Sequence, residues 1–201
     1  MVTYEDIKKC NSIYALPKNI HYNKDVMLDF RLVETFEENG KKSLSGDLRY
    51  DFDVYLPKYE INLQRPYVWK RQQQNEFISM ILMDKPIEHV VAIMHNGDRE
   101  RNNTIVQIID GKQRLMTIKK FVNNEFPVKI GDKEAYWNDF DDDAKMYFRS
   151  RANGITAMVY YSYDICPITD DMKIILFNFY NFAGTPQTQK HKNELQALLS
   201  K

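Results

Sequence analysis

Few of the residues that usually announce a mechanism are present in this 201-residue chain. Its two cysteines, Cys10 and Cys166, form no CxxC pair, which excludes a zinc ribbon and a disulfide framework and leaves two thiols, buried or at the surface. Charge of one sign is also lacking: 28 Lys and Arg balance 28 Asp and Glu, so no global basic field advertises nucleic acid. Any such partner must be met by a local patch. No apolar run approaches the ~20 residues of a membrane span. The start Met-Val-Thr-Tyr-Glu-Asp lacks the charged and apolar regions of a signal peptide. A soluble, cytoplasmic protein with no membrane partner is therefore expected.

Common ligand-binding spacings are missing too. Gly111-Lys112 is no Walker loop, because the upstream glycine and the following Ser or Thr are absent. Asp139, Asp141 and Asp143 imitate the start of a calcium loop, but Ala144 takes the glycine position and no glutamate closes it. They read better as a helix start favoured by the helix dipole. His89 and His95 lie on one expected strand but about 20 Å apart, too far to share a metal.

What is present is a core and one dense motif. With 43% hydrophobic residues the chain can bury the interior of a single domain. From Thr104, the β-branched run Thr-Ile-Val-Gln-Ile-Ile closes on Asp110-Gly111-Lys112-Gln113-Arg114, and an amphipathic helix opens through Leu115, Ile118, Phe121 and Val122. Strand, tight turn and helix in that order leave backbone N–H groups unpaired where an anion can sit, with Arg114 as a charged fork beside it. Asp110 has three readings at a strand end: metal ligand, activator of water, or cap of the following helix. Gly111 lets backbone approach a phosphate, and Lys112 either points to solvent or strengthens the anion site. A second polar cluster, Gln64-Arg65-Pro66-Tyr67-Val68-Trp69, precedes a helical pattern through Phe77, Ile78, Ile81 and Leu82, then Pro86-Ile87. Pro66 blocks helix there and fixes the chain's exit. Arg65 either pairs an acidic neighbour or lines the anion pocket. Tyr67 and Trp69 are either core aromatics or a platform for base stacking.

The remaining pattern is mixed. A capping-box-like spacing of Thr3 and Asp6 predicts a short helix over 3–10. Residues 37–47 read as a polar loop dividing an N-terminal extension, 1–46, from a core domain, 47–201. The extension is either a partner surface or a lid. From Tyr50, alternation of Tyr50, Phe52, Val54 and Leu56 with polar neighbours predicts a half-buried strand. Strands 87–95 and 103–109 flank Asn96-Gly97-Asp98 as a hairpin, and a shorter pair flanks Gly131-Asp132. A helix from Ala144 to Ala152, a strand over 155–163 and helices over 170–182 and 188–199 complete an α+β chain.

Four of these segments, in the same order across residues 55–190, resemble the N-terminal domain of GmrSD-type restriction enzymes, a family related to the ParB/sulfiredoxin fold. The family's QR-x-YxW segment corresponds to QRPYVW, its Pro-Ile strand to KPIEHVVAI and its DGQQR turn to DGKQRLMTI. Its closing F-x-R-x-N-x-GGTPLS segment corresponds to FNFYNFAGTPQT from Phe177. The resemblance implies a ParB/sulfiredoxin-like mixed sheet with flanking helices and a helical C-terminal segment. It implies a nucleotide-binding and NTP-hydrolysing domain in DNA restriction, phage defence or phage counter-defence, cellular or phage-encoded. Asp110 becomes the acid/base or metal-linked residue, with Mg2+ as the metal, and Arg114 the phosphate clamp. Gln64, Arg65, Gly111, Lys112, Gln113, Asn181 and Thr185 join them around the phosphates.

Sulfiredoxin-like redox chemistry would need a cysteine where Lys112 stands. Two positions depart from the family pattern, Phe179 for its arginine and Ala183 for its first glycine. Relatives often continue into an HNH nuclease domain, for which there is no room before Lys201, so a nuclease is expected as a separate partner or not at all. The opposing reading is a module without catalysis that holds DNA or a partner protein in a degenerate pocket. A stand-alone ParB-type nuclease is a third, discouraged by the neutral net charge.

Overall fold

The two β-branched runs pair with each other as the hairpin the sequence predicts, and the rest of the chain is layered around them. The computed structural model describes residues 22–27, 32–37, 48–96, 104–164, 166–182 and 189–199. In chain order the strands are β1 (Tyr22–Met27), β2 (Leu48–Asp51), β3 (Tyr55–Leu56), β4 (Ile61–Asn62), β5 (Val90–Asn96), β6 (Thr104–Asp110), β7 (Val128–Ile130), β8 (Lys133–Ala135) and β9 (Thr156–Ser162). The helices are α1 (Leu32–Glu37), α2 (Arg71–Leu82), α3 (Lys112–Val122), α4 (Asp142–Ala152), α5 (Asp170–Phe182) and α6 (Gln189–Leu199). The main sheet has five strands in the order β1-β9-β5-β6-β2. β5 runs antiparallel to β6 and parallel to β9, β2 is parallel to β6, and β1 is antiparallel to β9. Parallel and antiparallel pairs share one sheet, as an α+β chain allows.

Both faces of the central strands are covered, which is why they read as near-continuous apolar runs. Side chains alternate across the sheet. Val90, Ala92, Val106, Ile108, Ala157 and Val159 therefore pack in one layer with α1 to α4, through Phe36, Ile78, Ile118 and Phe148 among others. Val91, Ile93, Ile109 and Tyr160 pack in the other with Ile174 and Phe177 of α5, Leu195 of α6, and Val54, Leu56 and Leu63 from the β3–β4 hairpin.

The strand expected from Tyr50 to Leu56 does not form as one piece. It stops at Asp51, whose Oδ1 accepts from the N–H groups of Asp53 (3.1 Å) and Val54 (3.0 Å). This side chain substitutes for a ladder partner and turns the backbone. Val54 follows at φ 53°, in the left-handed region. The strand expected over 87–95 starts later, at Val90, and so leaves His89 outside it. Before residue 47, β1 supplies a sheet edge and α1 three buried side chains, Leu32, Val33 and Phe36. At the predicted helix start near Ala144, Asp141 caps α4 by accepting from the Ala144 N–H at 2.8 Å. The short pair around Gly131 is β7–β8. The helix expected over 3–10, residues 38–47, and Gly97 and Asp98 of the hairpin turn lie outside the described residues.

Candidate functional site

Asp110 is the last residue of β6, and Gly111 turns the chain from that strand into α3. The turn demands glycine twice over. Its φ is +96°, and a Cβ there would fall inside the contact distance of Val90 Cγ1 and 2.9 Å from Val90 Cβ. Among the described residues no side chain caps the helix that follows, so the N–H groups of Lys112 and Gln113 keep no acceptor. Gly111, Lys112, Gln113 and Arg114 line a cavity of ≈ 710 Å³. Gln64, Arg65 and Trp69 form a second side, and Tyr180 and Asn181 from the end of α5 a third. Phe77, Met80, Pro86 and Ile87 give it an apolar wall. The volume falls within the range of roughly 300–1,000 Å³ common for small-molecule sites.

Arg114 is committed to the protein. Its Nη2 donates to Asp110 Oδ2 at 2.8 Å and to His89 O at 3.1 Å, while Nη1 donates to Glu88 O at 2.6 Å. Burial raises the Asp110 carboxyl above its ordinary value, against the opposing pull of the Arg114 charge and the Gly111 N–H. A carboxylate so placed holds a proton more readily than a free aspartate.

Lys112 is 6% exposed, so neither solvent nor the cavity holds its ammonium: Nζ donates to Asp53 Oδ1 at 2.7 Å. Asp53 lines a shallower neighbouring cleft of ≈ 400 Å³, with Arg49, Phe52, Tyr67 and Lys119. Lys112 lines both clefts, and its charge is paired with Asp53 of the second.

Three expected ligands are carboxamides that brace the backbone. Gln64 Nε2 donates to Ile108 O and Ile109 O, both at 2.7 Å. Asn181 Nδ2 donates to the same Ile109 carbonyl at 3.1 Å and to Phe177 O at 3.0 Å. Gln113 grips the other motif, accepting from the Val68 N–H at 2.9 Å and donating to Pro66 O at 3.3 Å. Together they fix the strand end that carries Asp110 and the segment that carries Arg65. Arg65 itself is exposed on the cavity and makes no hydrogen bond or ion pair with the described residues.

Of the two aromatic residues, Trp69 lines the cavity and meets Phe77 edge-on, ring centroids 5.5 Å apart. Tyr67 faces the second cleft, its hydroxyl 2.9 Å from Thr117 Oγ1 and accepting from Gln74 Nε2 at 3.0 Å. Thr185 lies outside the described residues. Sequence reasoning missed the apolar wall, Tyr180 and the Asp53 partner of Lys112. Only Met80, 37% exposed on a helix whose other apolar residues are mostly buried, left a trace of that wall.

A family model for the GmrSD restriction endonuclease N-terminal domain matches residues 42–197, spanning both motifs, α5 and most of α6. The chain belongs to that family. No curated protein and no solved structure matches it. The family places this GmrSD N-terminal domain in the setting of DNA restriction systems. Where the family pattern carries arginine, Phe179 meets Tyr180 edge-on at 4.9 Å between centroids, and Tyr180 in turn bonds the Tyr160 hydroxyl.

Among the described residues no three His, Cys, Asp or Glu side chains come together to hold a metal. Of the two carboxylates at the cavity, Asp110 is bonded to Arg114 and Glu88 is exposed, so Glu88 would be the group to hold Mg2+ arriving on phosphates, an ion that commonly takes one or two carboxylates and keeps its other ligands from water and substrate. Held there, the ion would neutralise phosphate charge. No helix among the described residues is long and apolar enough to cross a membrane.

Proposed function

We propose that this GmrSD N-terminal domain binds a nucleoside triphosphate in the 710 Å³ cavity and hydrolyses its terminal phosphate, within a restriction or phage-defence system. One observation carries the reading: the start of α3, uncapped, and Arg65, unpaired, both so among the described residues, line the same cavity. Free N–H groups at a helix start favour an anion, and a guanidinium without an internal partner adds a fork suited to phosphate oxygens. Lys112 and Arg114 cannot do this without breaking existing pairs. Trp69, Phe77, Met80 and Ile87 supply an apolar wall against which a base can lie. Asp110, with its raised proton affinity, is the group to take a proton from attacking water. Isothermal titration of each triphosphate with Mg2+ tests the binding. Heat that is lost in Arg65→Ala is expected, and no heat for any nucleotide with folded protein would contradict it.

A second reading has its own support. Phe179 stands in place of the family's arginine, and two of the cavity's three basic residues are neutralised by aspartates. A module that holds DNA or a partner protein without catalysis is consistent with both. Salt-dependent DNA binding weakened in both Arg65→Ala and Arg114→Ala supports it. Binding unchanged in both variants removes the cavity as the contact.

A further inference from the structure

The Gln64 carboxamide is 8% exposed, and its Nε2 spends both protons on the carbonyls of Ile108 and Ile109. Two carbonyl acceptors admit only the nitrogen at that end, so chemistry fixes the amide's orientation. Oε1 is thereby turned away from those carbonyls. It has no partner among the described residues, yet it is not among the polar atoms sealed from solvent, and Gln64 lines the cavity. A carbonyl oxygen nearly buried in a cavity wall without a donor is waiting for one.

Its neighbours say which donor. Arg65 is next in the chain, and Asp110 directly follows the Ile109 carbonyl that Gln64 grips. If the nucleotide reading holds, this is the phosphate side of the cavity. Phosphate oxygens are acceptors, and so is Oε1; facing each other they repel unless a molecule with O–H groups stands between. We infer that Gln64 Oε1 accepts a hydrogen bond from the attacking water and holds it against the terminal phosphoryl group, beside Asp110. In the step, the water oxygen forms a bond to the terminal phosphorus. The bond from that phosphorus to the bridging oxygen breaks, and the bridging oxygen keeps the electron pair on the departing nucleoside diphosphate. The water proton passes to the Asp110 carboxylate, and inorganic phosphate is the second product. Gln64 neither gains nor loses a proton; it is a positioning residue, and it keeps the water in line while the nitrogen end keeps the strand end in place.

The test compares wild type with Gln64→Met, which preserves length and removes the acceptor together with the two Nε2 bonds, and with Asn181→Leu, which loosens the same Ile109 carbonyl and leaves Oε1 in place. Melting temperature, affinity for an imido-bridged triphosphate analogue with Mg2+, and single-turnover phosphate release are measured for all three; a rate lost equally in Asn181→Leu assigns the loss to the brace and overturns the role of Oε1. The expected result for Gln64→Met is analogue affinity within about threefold of wild type and a hydrolysis rate lower by ~100-fold, the scale of a correctly placed proton-transfer step. Diphosphate with fluoroaluminate, which imitates the in-line transition state, should bind wild type at least ~10-fold tighter than diphosphate alone, a gain Gln64→Met loses. If Gln64→Met does not fold, Gln64→Asn carries the same test, because its shorter stem withdraws the oxygen. Rate and affinity falling together, or a Gln64 variant that hydrolyses at the wild-type rate, overturns the role of Gln64. Absence of hydrolysis in folded wild type defeats the hydrolysis reading instead, and the two failures are told apart by the wild-type rate alone.

Discussion

Arg114 Nη2 donates to Asp110 Oδ2 at 2.8 Å across the strand-to-helix turn, and the same guanidinium closes on the carbonyls of Glu88 and His89. The arginine of the motif thus ties the end of β6 and the approach to β5 to the start of α3. Arg65, on the other side of the cavity, has no such ties among the described residues. The two arginines should therefore fail differently. Arg114→Ala strands a carboxylate and two carbonyls, and stability should fall by about 2–4 kcal/mol. Arg65→Ala should leave the melting temperature within a degree or two and weaken triphosphate binding by about 1.5–3 kcal/mol, ~10-fold or more. Urea denaturation and calorimetry on both variants check this. A stable Arg114→Ala or a destabilised Arg65→Ala would reverse the assignment.

Gly111 joins strain and close packing at one position. Gly111→Ala must hold a side chain at φ +96° and push it into Val90. The expected loss is about 2–5 kcal/mol, from left-handed strain together with overpacking. Val90→Ala in the same chain should recover part of it, since it removes the Cγ1 clash and leaves the 2.9 Å contact with Cβ and the backbone strain. A Gly111→Ala protein as stable as wild type would contradict the turn geometry.

Much of this architecture was legible in the sequence, for physical reasons that also mark where legibility ended. Periodicity found α2 through Phe77, Ile78 and Ile81, and α3 through Leu115, Ile118 and Phe121, because these stripes face the core. The β5–β6 hairpin was written in its β-branched runs. The break at Asp51 was not, since the alternation continues while the aspartate side chain captures the backbone. Nor was β1, an edge strand whose Tyr22, Asn23 and Lys24 are exposed, leaving no alternating stripe. At the site, motif residues were visible and their partners were not: Asp53 lies 59 positions from Lys112, and no local pattern records that pairing. Gln64, Gln113 and Asn181 read as ligands because carboxamides suit polar ligands, whereas here they spend donors on backbone carbonyls.

Asp110 makes a pH dependence with a defined sign. Its folded value is raised above 3.8 by burial, so the folded state holds the proton more tightly than the unfolded chain. The stabilisation is fully present below 3.8 and is lost as pH rises through the raised folded value. Asp110→Asn should therefore gain stability relative to wild type as pH climbs through that window. The proposed hydrolysis needs the deprotonated form, so its rate should rise with pH along a limb centred above 3.8, and Arg114→Met should move that limb further up. A limb at the ordinary aspartate position would contradict the buried environment.

His95 gives the opposite sign on the other face of the sheet. Its Nε2 lies 2.7 Å from Gln107 Oε1, while Gln107 Nε2 donates to Asp51 Oδ2 at 3.0 Å, so the proton of the neutral ring sits on Nε2. Burial, with the Lys173 charge of α5 behind it, lowers the His95 value below 6.5 against the pull of Gln107 and Asp51. Stability contributed by the neutral ring is present above 6.5 and is lost as pH falls through the lowered folded value. Wild type should lose melting temperature between pH 7.5 and 5 more steeply than His95→Gln. Equal slopes would show that this imidazole carries none of the dependence.

Phosphate release from ATP, GTP, CTP and UTP with Mg2+, compared between wild type and Asp110→Ala, tests the central claim most directly. Release by wild type from at least one triphosphate, reduced ~100-fold or more in a folded Asp110→Ala that still binds it, is the expected result. No release from any of them by folded wild type, or equal release by the variant, contradicts hydrolysis at the end of β6.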